Sequence, residues 1–203
     1  MRRTIVIALI ALAVSCKNKP ATEPKADTAT AATNIYQEDS TLIVSAGIND
    51  WMQQTLKAAD LPAKMKLEEF WKDDSLMVSP FTPSNEFYSD YAPVLRWSAD
   101  SNYIIDIGSY GTVVTKNAQG KTQLEAGSPD SELALIEPKK QERTRLMFVG
   151  PSSEIINAKW IDSRQALVIG TFDKTGNDNH DTLLWMIDVK DKFFRLYNIK
   201  SHR

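Results

Sequence analysis

The second half of the chain is a succession of short apolar runs separated by turn residues, and no other feature restricts the fold as strongly. Ten runs have strand length and composition: 94–98, 102–107, 112–116, 121–125, 132–137, 144–149, 156–161, 165–171, 182–188 and 192–199. Runs of this kind, bounded by Gly, Pro, Asn, Asp and Ser, are the units of an antiparallel β domain. The turns fit. "KNAQGK" places Gly120 where a hairpin can require positive φ. "SPDS" (128–131) is a second turn, and "DKTGNDNHD" (173–181) a long hairpin loop.

An internal repeat runs through this region. "VLRWSADSNYIIDIGSY" (94–110) matches "NAKWIDSRQALVIGTF" (157–172). Each copy has a basic residue and Trp, then Asp-Ser, an aliphatic run, Gly, a small hydroxyl residue and an aromatic. The pairs are Trp97 with Trp160, Gly108 with Gly170, and Tyr110 with Phe172. Two strand candidates follow each copy, 112–116 with 121–125 and 182–188 with 192–199. A strand ending in Trp, a tight turn, an aliphatic strand and a hairpin make up one four-stranded propeller blade. Equivalent blades would bury both tryptophans alike.

"WSADSNYII" resembles the W-S-P-D-G motif of the propeller repeats in bacterial Tol-system translocation proteins, and "LLWMIDVKDKFFRLYNI" (183–199) looks like the closing hairpin of such a blade. The turn glycine of that motif is replaced by Ser101 in one copy and Arg164 in the other. Residues 94–199 carry the resemblance. A closed ring needs about four blades, and two copies with a hairpin at 132–149 are visible. The fold expected is mainly β and antiparallel, a partial β-propeller-like or stacked-sheet domain with a small helical N-terminal part.

That helical part lies between residues 35 and 93. "TLIVSA" (41–46) reads as a short strand. Ile48, Trp51, Met52, Thr55, Leu56 and Ala59 recur at helical spacing, with Asn49 as cap and Pro62 as stop. Met65, Leu67, Phe70 and Trp71 fit a second short helix, and 79–93 is a loop rich in Pro and aromatics.

The first 34 residues have a different character. Arg2 and Arg3 precede a run of ten aliphatic residues, Ile5 to Val14. A membrane-spanning helix needs about 20 apolar residues, so the run is a signal-peptide core. Ala13-Val14-Ser15-Cys16 resembles the lipobox of bacterial lipoproteins, with Ala13 where that family usually has Leu. The resemblance implies a signal peptide over 1–15, removed before Cys16, and a diacylglycerol and an acyl chain on Cys16. Two or more acyl chains anchor a protein firmly to a membrane. It also implies the bacterial cell envelope, and Lys17, in place of a retaining Asp, points to the outer membrane. Cys16 is the only cysteine, so once acylated it leaves the chain no disulfide and no thiolate chemistry. Residues 17–34 contain no aliphatic larger than Ala and no aromatic, so 16–34 reads as a lipidated, disordered tether and 35–203 as a single β-rich domain.

Few residues suggest chemistry. The two histidines, His180 and His202, lie in a polar loop and beside the C-terminus. No G-x-S-x-G, P-loop, Rossmann or H-E-x-x-H motif is present. Asp173, Asn177, Asn179 and Asp181 are oxygen donors, but Asp178 and Leu184 stand where an EF-hand requires Gly and Glu. Glu68/Glu69 and Asp73/Asp74 are the carboxylate pairs that a hydrolase reading would use. The charged run "EPKKQERTR" (137–145) reads as a solvated hairpin tip. Phe81, Phe87, Tyr88 and Tyr91 form an aromatic cluster suited to a protein partner or to sugar rings. The formal net charge is −2, which lacks the footprint of a nucleic-acid binder.

These observations lead to a lipid-anchored envelope protein that binds a protein or glycan partner, with no catalytic residue, metal or cofactor assigned. The alternatives are a carboxylate-based hydrolase of envelope glycan and a structural or assembly lipoprotein.

Overall fold

A computed structural model describes residues 25–56, 61–173, 176 and 180–199. The chain is mainly antiparallel β, with helices near its N-terminus. Helices α1 (Lys25–Ser45), α2 (Ile48–Leu56) and α3 (Leu61–Lys64) lead into strands β1 (Met65–Lys72) and β2 (Val78–Pro80). A short helix, α4 (Asn85–Asp90), precedes β3 (Leu95–Trp97), β4 (Ile104–Asp106), β5 (Thr112–Lys116) and β6 (Thr122–Ala126). Then come β7 (Ser131–Glu137), β8 (Glu142–Val149), β9 (Ser153–Trp160), β10 (Gln165–Asp173), β11 (His180–Asp188) and β12 (Phe193–Ile199).

All ten strands expected after residue 94 are present, within three residues at each end. They form two five-stranded sheets and one hairpin. The middle sheet has the order β2-β8-β7-β4-β3, the C-terminal sheet β1-β12-β11-β10-β9, and β5-β6 stands apart. Each large sheet is a four-strand meander with one earlier strand added beside its last. By adjacency in sequence, β5 and β6 are the third and fourth strands expected for the first copy. The structure gives it β7 and β8, and β5-β6 is an insertion between β4 and β7. The β7-β8 and β11-β12 turns match, each with positive φ at its last residue, Gln141 (56°) and Lys192 (53°).

The two meanders stack front to back. Ile105, Leu133 and Leu135 of the middle sheet correspond to Leu167, Leu184 and Met186 of the C-terminal sheet when Gly108 is set on Gly170 and the two turns are matched. The first set faces the other sheet and packs on Ala166, Val168, Trp185 and Ile187. The second set faces away and packs on Ile43, Ile48 and Met52 of the helices. The far face of the middle sheet (Leu95, Ile104, Ile136) is covered by Phe81, Phe87, Tyr88 and Tyr91. The order of layers is therefore helices, C-terminal sheet, middle sheet, aromatic segment. Successive residues of a strand point to opposite faces, so β10 and β11, buried on both, carry unbroken apolar runs.

Three N-terminal expectations are corrected. Residues 41–45 belong to α1, and Ala46 to the turn after it, because Asp39, Leu42 and Ile43 share one helix face that docks on the sheet. Residues 25–34, expected in the tether, are helical as well: they are rich in Ala, the best helix former, and continue from the docked turns. Residues 65–71 form β1 rather than a helix. A register shift between Leu67 and Glu69 breaks the strand alternation and imitates helical spacing. The helix expected around Trp51 is present as α2; Asn49 lies inside it, after Gly47 at φ 61°. Cys16, the signal segment and residues 17–24 lie outside the described residues.

Candidate functional site

β3 is an edge strand of the middle sheet and β9 an edge strand of the C-terminal sheet. They lie side by side, and α2 contributes Trp51 beside them. The groove between them has a volume of about 520 Å³ and is lined by Trp51, Leu95, Arg96, Trp97, Ala99, Asn157, Ala158, Lys159 and Trp160. Small-molecule sites commonly fall in the range of about 300–1,000 Å³.

Asp turns fix both edges. After β3, the Ser98 hydroxyl and the Asn102 N–H donate to Asp100 Oδ1 at 2.7 and 3.1 Å, with Ser101 at φ 56°. These bonds, Ser98's first, hold the Asp100 carboxyl below the usual range. After β9, the N–H groups of Arg164 and Gln165 donate to Asp162 Oδ1, both at 2.7 Å. Each turn sets its tryptophan opposite the start of the next strand, Trp97 on Ile104 and Trp160 on Ala166.

The repeat therefore places both tryptophans at one groove, but it does not bury them alike. Trp160 packs against the inter-sheet core, stacks on Tyr103 at 6.1 Å and donates its Nε1–H to Arg96 O at 2.7 Å. Trp97 is 45% exposed and leans on Tyr88 at 5.6 Å. The expectation of matching buried sites fails at Trp97 because β3 has only three residues and ends at the open side of the sheet.

The groove is cationic. Arg96 Nε and Nη2 donate to Asn157 Oδ1 at 3.2 and 3.0 Å, and Nη1 donates to Pro93 O and Leu95 O at 2.8 and 3.2 Å. Every acceptor is neutral. Burial pulls the Arg96 pKa down, and a guanidinium nonetheless remains charged. Lys159 holds its ammonium 5.8 Å from the Trp51 ring centre. Among the described residues neither cation forms an ion pair, and no lining residue is acidic.

Side chains also cap the strand edges that border the groove. Arg96 Nη1 takes the outward carbonyl of Leu95 on β3, and Asn157 Oδ1 accepts the outward Ala158 N–H on β9 at 2.9 Å; Trp160 adds a second bond to the Arg96 carbonyl, which faces β4.

A second polar cluster lies on the far face of the middle sheet. Arg143 Nη1 meets Asp106 Oδ2 at 2.5 Å, Arg143 Nη2 meets Glu132 Oε1 at 3.0 Å, and Arg145 Nε meets Glu132 Oε2 at 2.7 Å. Asp106 and Glu132 are buried. Ser109 donates its hydroxyl and its N–H to Asp106. Arg145 stacks over Phe148 and Tyr110 at 5.2 and 6.0 Å. The run 137–145 is thus a solvated tip only at its turn: Arg143 points inward because β8 continues to Val149 and buries this end of the strand.

Phe81, Phe87, Tyr88 and Tyr91 are half-buried and pack on one another with ring centres 4.9–5.5 Å apart. They cover the sheet, and only Tyr88 reaches the groove, by supporting Trp97. Glu68 and Glu69 lie on β1 near its bulge. Asp73 accepts the Ser75 N–H and hydroxyl, which lower its pKa, and Asp74 pairs with Lys72 at 3.3 Å. His180 opens β11 and is exposed. Asp173 accepts the Gly176 N–H at 2.8 Å, while Asn177, Asn179 and His202 lie outside the described residues. No group of three metal-binding side chains occurs among the described residues.

The sequence pairs Trp97 with Trp160, each after a basic residue (Arg96, Lys159), but gives no sign that the two copies meet or that Trp51 joins them. That convergence comes from the front-to-back stack, which brings two edges 60 residues apart into contact. Compared with protein-family models, with curated proteins and with solved structures, the chain has no match.

Proposed function

We propose that this protein is a lipid-anchored component of the bacterial cell envelope, held at the outer membrane through Cys16, and that its β domain is a binding module. In this reading the two meanders are blade-like repeats of an open, propeller-like stack, and the ligand sits where their edges meet. The observation that carries it is the groove itself, with three tryptophans and two cations without anionic partners on a rigid two-sheet base. Binding is favoured over a carboxylate-based hydrolase because the buried carboxylates Asp106, Glu132, Asp39 and Asp188 are each bound to a guanidinium. Carboxylates held in that way serve poorly as proton donors or nucleophiles.

Two measurements test the two halves. The full chain should fractionate with membranes, and Cys16→Ser should move it to the soluble fraction; a variant that stays on the membrane refutes the anchor. The soluble Cys16→Ser chain should co-sediment saturably with envelope preparations, and Trp97→Ala on that background should abolish this without unfolding. Unchanged binding in that variant refutes the groove as the site.

A further inference from the structure

The groove's chemistry identifies the class of ligand, on the premise that the domain is a binding module. We infer that it takes an acidic saccharide, with a pyranose face on the Trp97 indole and a sugar carboxylate at Arg96 and Lys159.

Charge comes first. A guanidinium has five N–H groups, and Arg96 spends four of them on the neutral oxygens of Asn157, Pro93 and Leu95. One N–H on Nη2 is left, with the full positive charge. Among the described residues the Lys159 ammonium has no hydrogen bond and no ion pair, only the Trp51 face. Two cations without a counterion in a partly desolvated groove favour an anion. A carboxylate suits them, since it accepts charge-assisted hydrogen bonds from a guanidinium or an ammonium.

The indoles select what carries that anion. The face of an aromatic ring is electron-rich. The axial C–H groups on one side of a pyranose are weakly positive and lie flat enough to stack on it. Trp97, half-exposed and supported by Tyr88, offers such a face beside Arg96.

The capped edges argue against an extended acidic peptide. Strand addition draws its affinity from free backbone groups of an edge strand. Here the edge carbonyl of Leu95 and the edge N–H of Ala158 are already bonded to side chains. A nucleic acid is disfavoured by charge. The chain carries a net −2 with pI about 5.8, and two groove cations match an isolated carboxylate better than a run of phosphodiesters.

The test is calorimetric titration of the full chain carrying Cys16→Ser with trisaccharides of galacturonic, glucuronic and sialic acid. Each is paired with its methyl ester, which keeps the ring faces and removes the charge. At least one acid should bind, and its ester about ten-fold or more weaker, the factor that one charge-assisted hydrogen bond supplies. Lys159→Gln should weaken the acid by a similar factor at an unchanged melting temperature, and Trp97→Ala should weaken it comparably while the chain stays folded. Lys121→Gln, at the β5-β6 turn far from the groove in sequence and exposed, should have no effect. Equal binding of acid and ester overturns the assignment, as does tighter binding of an oligoglutamate or of oligo(dT). If no saccharide binds while co-sedimentation with envelope material still depends on Trp97, the saccharide inference falls and the binding module stands. If Trp97 has no influence on co-sedimentation either, both fall.

Discussion

The two sheets are built alike and finished differently. Each is a four-strand meander with an added fifth strand, and each leaves one apolar face outside the shared core. The C-terminal sheet is closed by α1 and α2, the middle sheet by the aromatic segment 81–91. Each outer face also buries an arginine from its last meander strand. Arg143 has two carboxylates, Asp106 and Glu132, and every guanidinium nitrogen is engaged. Arg195 has one, Asp39 of α1, at 2.8 Å, with Tyr197 donating its hydroxyl to the same group. Among the described residues its Nε and Nη2 are buried without a partner, as are Ser40 Oγ and Asn49 Oδ1 in the helices. Burying a charge costs several kcal/mol unless good geometry offsets it. The aromatic closure is thus electrostatically complete. The helical closure depends on one residue.

The largest expected effect follows from that dependence. Asp39→Ala leaves Arg195 buried with no anion and should cost about 3–5 kcal/mol in urea denaturation. Glu132→Ala leaves Arg143 on Asp106 and should cost less, about 1.5–3 kcal/mol, the range for charged hydrogen bonds. Equal losses would mean that both closures tolerate a missing partner equally and would break the contrast.

The paired tryptophans give the next effect. Trp160→Ala empties a site in the inter-sheet core and should cost about 3 kcal/mol or more. Trp97→Ala removes a half-exposed ring at an edge and should cost about 1 kcal/mol or less. Comparable large losses would show that the two repeats bury their tryptophans alike despite the difference in exposure.

The paired glycines are similarly unequal. A Cβ on Gly170 would lie 2.4 Å from the backbone oxygen of Glu154 and 2.9 Å from the Trp185 ring. Neither can yield easily, so Gly170→Ala should cost about 1–3 kcal/mol as overpacking. A Cβ on Gly108 would meet the Val94 side chain, 3.1 Å from one Cγ and 3.4 Å from its Cβ, with no backbone atom among its nearest contacts, so Gly108→Ala should cost less, under about 1 kcal/mol. Thermal denaturation of the two variants checks the order.

The sequence revealed this architecture wherever one periodicity acted alone. β10 and β11 stood out because both faces are buried and their apolar runs are unbroken. The Trp-turn-aliphatic repeat stood out because equivalent strands need equivalent residues. Signals failed where two constraints overlapped. The β1 bulge mixed strand and helix spacing, and Ile43 and Val44, β-branched residues, concealed the end of a helix held by docking. The blade assignment failed because the β5-β6 hairpin is inserted within the first repeat, and adjacency in sequence then misleads about adjacency in the sheet. The groove was half legible. Its two tryptophans and the basic residues before them, Arg96 and Lys159, are in the repeat, but that the two copies and Trp51 meet at one groove comes only through stacking, which no local pattern encodes.

The smallest effect is a pH slope, and it isolates Asp39. Burial, the largest influence, pushes its carboxyl pKa above the ordinary value; the Arg195 charge and the Tyr197 hydroxyl oppose this without reversing it. The folded state therefore holds this proton to higher pH than the unfolded chain, where the carboxyl titrates near 4. Between the two pKa values the native state binds more protons, so stability falls as pH rises. The contribution from Asp39 is fully present below about pH 4 and is lost as pH rises through the folded pKa. Asp39→Asn cannot titrate. The stability difference, wild type minus Asp39→Asn, should accordingly shrink between pH 4 and pH 7, whatever its offset, in parallel urea denaturations. Other carboxylates titrate in both proteins and cancel in the difference. A difference that grows with pH would mean that attraction to Arg195 outweighs burial, and the helical closure would then be an ion-pair clamp as secure as the one on the middle sheet.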